Sequence, residues 1–387
     1  MIRYIIITLI SIITSLYCFE FYLNYLKNLP SKKKIRIYQN QTGKKFDTRN
    51  KIEVFLDLKK NYSNLTSTIV PKWYAIHQKV DLLPLSGLSN ALTLHCNENG
   101  YYTLFESDRY GFNNPDDQWD KDNIEFFIVG DSFAMGECVN RPYDFGSVLR
   151  TISNKASLNL GYSSNGPNIQ YAVMREYLDK RVKNILWMYY EGNDLQDMLD
   201  TLANSKIINN YLDDLKFSQN LKIKQKKLDE LNNINIKKQL DYHQERERRK
   251  TKYQILRFIR LDKTKDTLKK IIKPEEEKIF NENDYLKFKN VLSLSKTLAK
   301  ENGSKIHFIY LPSYKRLKGS SSEEENNQKK QVLSIIKDLD ISLIDIEAEI
   351  LSKKIEYLKI FPFGMYGHYN IDGYRIISNI IYDKIIN

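Results

Sequence analysis

A serine that follows an apolar run is the first residue of this 387-residue chain with the setting of a catalytic group. The run 124–129 predicts a buried strand, and the segment 130–133 after it has the sequence Gly-Asp-Ser-Phe. Ser132 therefore lies at the carboxyl end of a strand, the edge at which open α/β sheets bind their ligands. A serine hydroxyl there is a candidate nucleophile, although Gly-Asp-Ser by itself more often only reverses the chain.

The loop 159–167 offers backbone donors for a negatively charged oxygen. It is rich in glycine, serine and asparagine, and it follows a second short strand predicted at 156–160. Loops of this kind leave backbone N–H groups free to form an oxyanion hole. The candidate donors lie at Gly161, Ser164 and Gly166.

An amide and an imidazole follow further along the chain. A buried parallel strand is predicted at 184–190, and Gly192 and Asn193 come after it in a loop where the side-chain amide is a candidate oxyanion donor. His368 precedes the last predicted helix and lies 236 positions after Ser132. Such large separations are normal for the partners of a catalytic triad.

The order of these four blocks, across 124–387, resembles the SGNH, or GDSL-type, hydrolase superfamily. The resemblance implies that Ser132 attacks an ester carbonyl while His368 takes and returns its proton. It also implies that the Ser132 N–H, the loop donors and Asn193 stabilise the oxyanion. The run 107–115, Ser-Asp-Arg-Tyr-Gly-Phe-Asn-Asn-Pro, is similar to members of the superfamily found with bacterial surface-polysaccharide genes.

Two acidic residues near these blocks are not assigned a catalytic role, and the sequence departs from the superfamily pattern at two positions. Asp131 and Asp194 are expected to hydrogen-bond the turns that they occupy rather than to react. The superfamily's aspartate, three residues before the histidine, is replaced by Met365. Either a Ser–His dyad operates, with a carbonyl or water fixing the imidazole, or another acid takes over, and Asp345 is the first to test. In the loop, Ser164 replaces the donor glycine, and Gly166 is the alternative donor.

The arrangement of apolar runs predicts the fold. Strands alternate with helices from residue 124, and the pattern resumes with strands at 305–311 and 341–344 and a helix at 374–386. This alternation is typical of a doubly wound parallel sheet, and the resemblance makes it a flavodoxin-like three-layer α/β sandwich. Three regions are predicted: a membrane or signal segment at 1–25, a lead-in packed on the catalytic domain at 26–122, and the catalytic domain at 123–387.

A helical insertion, predicted at about 205–283, carries most of the net charge. Residues 221–273 contain 18 Lys and Arg against 7 Asp and Glu, in a chain whose net charge is +12. The spacing of leucine and isoleucine indicates amphipathic helices. The insertion is either a solvated helical excursion or a cationic surface for an anionic glycan or phospholipid headgroups. Nucleic acid is not an expected partner, because an exported protein rarely meets it and no recognition motif is present.

The first residues predict a membrane segment. After Arg3, residues 4–19 are almost wholly apolar until Glu20, which indicates a signal peptide or anchor. No Ala-x-Ala cleavage site follows, which favours an uncleaved anchor. Arg3 would hold the N-terminus in the cytoplasm, whereas the basic run 32–36 opposes this. A periplasmic or other extracytoplasmic catalytic domain is expected from the resemblance.

These observations predict an enzyme that hydrolyses acyl esters, O-acetyl esters above all, of a cell-envelope or exported carbohydrate. An O-acetyltransferase using the same nucleophile is the alternative, and a catalytically degenerate polysaccharide-binding or scaffold protein is a second. No phosphate loop, HExxH pair or CxxC motif occurs, so no metal and no cofactor are expected. The cysteines, Cys18, Cys96 and Cys138, have no clustered spacing and say little about the compartment.

Overall fold

A computed structural model describes residues 1–77, 80–273 and 278–386. Its strands are β1 (Leu65–Ser67), β2 (Leu92–Leu94), β3 (Leu104–Glu106), β4 (Ile124–Gly130), β5 (Ser157–Asn159), β6 (Val182–Tyr190), β7 (Lys305–Leu311) and β8 (Ser342–Asp345). Its helices are α1 (Ile2–Thr42), α2 (Lys51–Leu58), α3 (Pro71–His77), α4 (Ser132–Met135), α5 (Phe145–Ser153), α6 (Pro167–Tyr177), α7 (Asp194–Asn204), α8 (Lys206–Asp213), α9 (Gln225–Ile259), α10 (Asp262–Ile272), α11 (Glu282–Glu301), α12 (Tyr314–Leu317), α13 (Glu323–Asp338), α14 (Ile346–Ser352) and α15 (Ile371–Ile386).

The larger sheet has five parallel strands in the order β5-β4-β6-β7-β8. Counted within this sheet, the order is 2-1-3-4-5, which is the flavodoxin-like arrangement. The three central strands, β4, β6 and β7, are nearly continuous apolar runs and are buried on both faces. The predicted doubly wound α/β fold is therefore confirmed.

Alternate residues of these strands enter two separate cores. On one face, Phe126 and Leu186 pack with Leu149 of α5 and Ile377 of α15. On the other face, Phe308 lies against Phe288 of α11, with ring centroids 6.4 Å apart. This alternation follows from the two-residue period of a strand and produces three layers.

A smaller sheet lies in the lead-in region. β2 pairs with β1 in parallel and with β3 antiparallel, and the hairpin extends beyond β2 through the bond from the His95 N–H to the Thr103 carbonyl. The motif at 107–115 holds this region in place. Asp108, which is fully buried, accepts hydrogen bonds from four donors, two of them the side chains of Asn114 and Trp119. Asn114 in turn bonds both backbone groups of Asn159 in β5, so the lead-in is fastened to the edge of the larger sheet.

The chain divides into two compact units. One contains residues 49–236 and 280–387, and hence both sheets. The other contains residues 1–48 and 237–279. The lead-in predicted at 26–122 is thus divided near residue 48, and the predicted insertion contributes residues to both units.

Within the second of these units, α1 is a single helix of 41 residues. The helix is long enough to cross a membrane, and its mean hydropathy of 1.9 over an 18-residue window is high enough for a membrane span or a signal sequence. The side chain of Glu20 accepts hydrogen bonds from the N–H groups of Lys263 and Thr264, which pins the start of α10 to α1.

Candidate active site

The structure brings Ser132 and His368 together. β4 ends at Gly130, and Asp131 caps the short helix α4, in which Ser132 is the first residue. His368 comes from the segment just before α15, and its Nε2 lies 3.0 Å from the Ser132 Oγ. This is hydrogen-bond distance, at which an imidazole can take a proton from the hydroxyl.

The other side of the imidazole contacts Glu98, a residue that sequence reasoning missed. The Glu98 Oε1 lies 3.1 Å from the His368 Nδ1, and its Oε2 accepts the backbone N–H of His368 at 2.7 Å. Glu98 lies in the turn of the β2–β3 hairpin, 270 positions before the histidine. Its carboxylate therefore fixes both the orientation of the ring and the tautomer that leaves Nε2 facing the serine.

Asp345 does not take this position, which corrects the expectation from the sequence. Its Oδ1 accepts the N–H groups of Glu347 and Ala348 and so caps α14. Its Oδ2 pairs with the Lys329 ammonium at 2.7 Å. At the end of β8, the edge strand of the sheet, this carboxylate is engaged in a helix cap and an ion pair.

A disulfide between Cys96 and Cys138 holds the turn that carries Glu98. Cys138 lies six residues after Ser132, and its carbonyl also accepts a hydrogen bond from the Asn99 side chain at 2.8 Å. The acid is thus fastened to the segment that carries the serine by one covalent bond and one hydrogen bond. The wide spacing of the two cysteines gave no indication of this pairing.

Charges around the imidazole determine its protonation. Burial by itself would lower the pKa of His368, but the hydrogen bond to Glu98 and the carboxylates of Glu137, Glu98 and Asp131 raise that pKa to about 9. Burial alone would raise the pKa of Glu98, and the contact with His368 outweighs it, so this pKa is lowered. The contact between the two groups therefore shifts both pKa values in the directions that favour an ion pair.

A second buried pair is formed by His95 and Glu137, the residues that directly precede the two disulfide-bonded cysteines. The His95 Nε2 is 2.9 Å from the Glu137 Oε1, and Ser163 donates its hydroxyl to the Glu137 Oε2 at 2.7 Å. Burial raises the pKa of Glu137, but the charge of His95 and its hydrogen bond outweigh this and bring that pKa to about 2. Glu137 thus adds a fixed negative charge near His368 and ties the loop 159–167 to the segment after Ser132.

A pocket of ≈ 250 Å³ opens over the serine. Three of the residues that line it are aromatic: Phe133, Tyr190 and Tyr366. The Phe133 and Tyr190 rings stack with centroids 3.7 Å apart, and a side chain at Gly192 would collide with the Tyr190 ring at 2.4 Å. Gly192 therefore has to be a glycine for this wall of the pocket to form.

Asn193 also lines the pocket. Its Nδ2 donates to the Asp197 Oδ2 at 2.6 Å, and Asp197 pairs with the Lys72 ammonium at 2.6 Å. An amide nitrogen has two hydrogens, so one bond to Asp197 fixes the side chain and leaves a second donor. Asn193 is thus positioned by a salt bridge that sequence reasoning had not connected with it.

The predicted oxyanion donors of the loop 159–167 do not line this pocket in the described part of the chain. Gly161, Ser164 and Gly166 are not among the described residues that line the pocket. The Gly161 N–H donates to the Asn159 Oδ1, and a side chain at Gly161 would meet the Met135 nitrogen at 2.7 Å, so this glycine permits close packing against α4. Ser164 has a φ of 61°, the left-handed conformation that favours glycine, and Gly166 caps α6.

Asp131 and Asp194 are fully buried and bond to backbone at the two turns. The Asp131 Oδ1 accepts the Phe133 N–H at 2.9 Å, and the Asp194 Oδ2 accepts the Tyr190 N–H at 3.1 Å. Burial raises the pKa of Asp131 to about 7 and raises that of Asp194 as well. Both acids lie where the sequence placed them, at the turns after β4 and β6.

No family model matches the chain, and no curated protein matches it. Among solved structures, it is similar to a putative lipolytic protein of the G-D-S-L family from Desulfitobacterium hafniense, with 12% identity over 67% of this chain and 99% of that chain and a TM-score of 0.36. It is also similar to an acetyl-xylooligosaccharide esterase from Geobacillus stearmophilus, with 14% identity, 68% and 94% coverage and a TM-score of 0.35. A lipase/acylhydrolase from Enterococcus faecalis has 13% identity, 68% and 95% coverage and a TM-score of 0.35.

Proposed function

We propose that this protein is a serine esterase whose catalytic triad is Ser132, His368 and Glu98. The observation that carries the proposal is the continuous chain of contacts, 3.0 Å from the Ser132 Oγ to the His368 Nε2 and 3.1 Å from the His368 Nδ1 to Glu98. Ser132 follows the end of β4, His368 comes from the segment before α15, and Glu98 comes from a disulfide-bonded hairpin. A serine that served only to cap a helix would not need an imidazole oriented in this way.

In this mechanism, the neutral form of His368 takes the hydroxyl proton as Ser132 attacks the ester carbonyl. The Ser132 N–H and the free hydrogen of the Asn193 amide stabilise the tetrahedral oxyanion. His368 then gives its proton to the leaving alcohol, and the acyl-enzyme forms. A second attack, assisted by the same imidazole, releases the acid when the acceptor is water, or a new ester when the acceptor is a sugar hydroxyl.

The size of the pocket supports a short acyl group. Its volume of ≈ 250 Å³ is below the range of about 300–1,000 Å³ that holds a drug-sized ligand, so the alcohol part of a larger ester would remain outside. Tyr366, 69% exposed, lies at the mouth where that part would rest. We assign acyl esters of a carbohydrate as the substrate class, O-acetyl esters above all, with water as the acceptor and acetyl transfer to a glycan as the second outcome.

An active-site probe tests the proposal. A fluorophosphonate should label the protein at Ser132, and labelling should be absent in Ser132→Ala and much slower in His368→Ala, because the hydroxyl then lacks its base. Ser153→Ala, at the end of α5, is the matched control and should label like the wild type. Equal labelling of wild type and Ser132→Ala would refute the esterase assignment and leave the non-catalytic binding role.

We propose further that α1 anchors the protein in a membrane. The compact unit that contains Ser132, Glu98 and His368 (residues 49–236 and 280–387, here called the catalytic unit) would then lie outside the cytoplasm. Two features support this placement: the apolar stretch of α1 and the Cys96–Cys138 disulfide. Disulfides form and persist in oxidising compartments and are rare in the cytosol. The disulfide supports this orientation independently of the flanking charges of α1, which gave conflicting indications.

Thiol counting tests this location. The protein is purified from its own cells under acid quench, denatured and treated with a maleimide of high mass. We expect one adduct, at Cys18, before reduction and three after it, because the other two cysteines are bonded to each other. The absence of any adduct before reduction, with two after it, would mean that the segment with Cys18 has been removed. Three adducts without reduction would place the catalytic unit in the cytoplasm.

A further inference from the structure

The leaving alcohol of the proposed reaction has a defined place relative to His368. When the tetrahedral intermediate collapses, the carbonyl carbon keeps its bond to the Ser132 Oγ and loses its bond to the alcohol oxygen. That oxygen takes the proton held on the His368 Nε2. It must therefore lie within hydrogen-bond reach of Nε2, so whatever group the alcohol oxygen carries extends over the residues next to the histidine.

Tyr366 presents its ring in this place. It lines the pocket together with His368, and at 69% it is the most exposed of the side chains that line the described pocket. It precedes the histidine by two residues, so their Cα atoms are at most about 7 Å apart. The other two aromatic rings of the pocket, Phe133 and Tyr190, are buried and stack on each other. Tyr366 is thus the aromatic side chain available to the alcohol part.

The segment that carries Tyr366 is held on both sides. Before it, the Tyr314 hydroxyl donates to the Gly364 carbonyl at 3.2 Å. The Tyr314 ring also meets the Tyr366 ring edge to face, with centroids 6.4 Å apart and planes at 88°. After it, the His368 N–H donates to the Glu98 carboxylate at 2.7 Å. The exposed ring is therefore positioned by the same short segment that positions the imidazole.

A pyranose ring matches a surface of this kind. Its hydroxyl groups lie mainly around the rim, which leaves C–H groups on its two faces. The face of an aromatic ring carries a partial negative charge that attracts such C–H groups, and contact between the two removes apolar area from water. Tyrosine provides this contact at a low cost in conformational entropy because only two torsions are fixed. An open-chain alcohol would cover less of the ring.

We propose that Tyr366 is a specificity-determining residue that stacks on the sugar ring of the alcohol part, so that the preferred substrate is an acetyl ester of a pyranoside. The inference rests on the proposed esterase function and adds to it the position of the sugar. Deacylation runs the same steps in reverse: an acceptor oxygen attacks the acyl carbon, its proton goes to the His368 Nε2, and the bond to the Ser132 Oγ breaks. An acceptor sugar would therefore use the same ring.

Hydrolysis of two acetyl esters by the full-length protein tests this assignment. One ester is a mono-O-acetate of methyl glucopyranoside, and the other is glycerol monoacetate, which has hydroxyl groups but no ring. The measured quantity is the ratio of their kcat/KM values, which does not depend on the fraction of active protein. The test variants are Tyr366→Ala and Tyr366→Phe. The matched control is Tyr62→Ala, which removes a 45% exposed tyrosine between α2 and β1, outside the pocket.

We expect the wild type, Tyr366→Phe and Tyr62→Ala to favour the sugar ester by about tenfold, and Tyr366→Ala to lose most of this preference through a higher KM for that ester. No preference in the wild type, an unchanged ratio in Tyr366→Ala, or the same loss in Tyr62→Ala would overturn the role of Tyr366.

Fluorophosphonate labelling of the same samples separates this inference from the function on which it rests. Labelling at Ser132 without hydrolysis of either ester would overturn the assignment of an acetylated pyranoside and leave the serine nucleophile in place. The absence of both labelling and hydrolysis would refute the esterase function, and the role of Tyr366 with it.

Discussion

Glu98→Gln should lower kcat about 10³- to 10⁴-fold while leaving the protein folded, the size of effect seen when a triad carboxylate becomes an amide. The reason lies in the two bonds that Glu98 makes to one residue. Both of its oxygens accept hydrogens from His368, one on the ring and one on the backbone. Glutamine has only one oxygen, so its NH₂ group must face a donor, which turns the ring or selects the wrong tautomer.

The pH dependence of the same variant separates this role from simple destabilisation. Catalysis needs neutral His368, whose pKa of about 9 means that kcat/KM of the wild type should rise about tenfold per pH unit until that pH. Removing the negative charge of Glu98 destabilises the imidazolium, so the pKa falls and the rising limb of the Glu98→Gln profile should end at lower pH. If Glu98 had only a structural role, the substitution would lower the plateau of kcat/KM without moving the rising limb of the profile to lower pH.

Asp345→Asn provides the control for this measurement. Asparagine is as good a helix cap as aspartate, so α14 should keep its start, and kcat should stay within about threefold of the wild type. If Glu98→Gln retains more than a tenth of kcat, or if Asp345→Asn shows the larger loss, the acid has been assigned to the wrong residue.

The centre of the sheet could be predicted from the sequence because β4, β6 and β7 are buried on both faces. Such strands are continuous apolar runs that differ from the amphipathic helices around them. The run 305–311 matches β7 residue for residue, and the run 124–129 ends one residue before β4 does. The weakly apolar end of the sheet was located less well, since β8 begins and ends one residue later than predicted.

The site could be predicted only where its residues follow strands. Ser132 and Asn193 each come directly after a long apolar strand, so the local pattern identifies them. Glu98 follows a strand of three residues in a region of mixed composition. It reaches His368 because tertiary contacts and the Cys96 disulfide hold its turn in place, and no periodic pattern encodes a contact across 270 positions. Asp345, the acid that follows the last strand, is therefore a helix cap and not the partner of His368.

Asn193→Ala should lower kcat by about 10²- to 10³-fold, or roughly 2.7–4 kcal/mol of transition-state stabilisation, with little change in KM. The amide would bond to the oxyanion, which exists only after Ser132 has attacked, so its loss affects the barrier more than ground-state binding. The pocket would otherwise keep its shape, because its wall is formed by the stacked Phe133 and Tyr190 rings.

A matched pair of variants identifies the source of this effect. Asn204→Ala, at the end of the same helix α7, removes an exposed amide that donates to the Asp200 carbonyl, and kcat should change less than threefold. Asp197→Ala removes the acceptor that fixes the Asn193 amide but leaves the amide itself. Its kcat should therefore lie between those of the wild type and Asn193→Ala. Asn193→Ala with more than a third of the wild-type kcat would show that backbone donors alone hold the oxyanion, and the Asp197–Lys72 pair would then have no part in positioning a catalytic group.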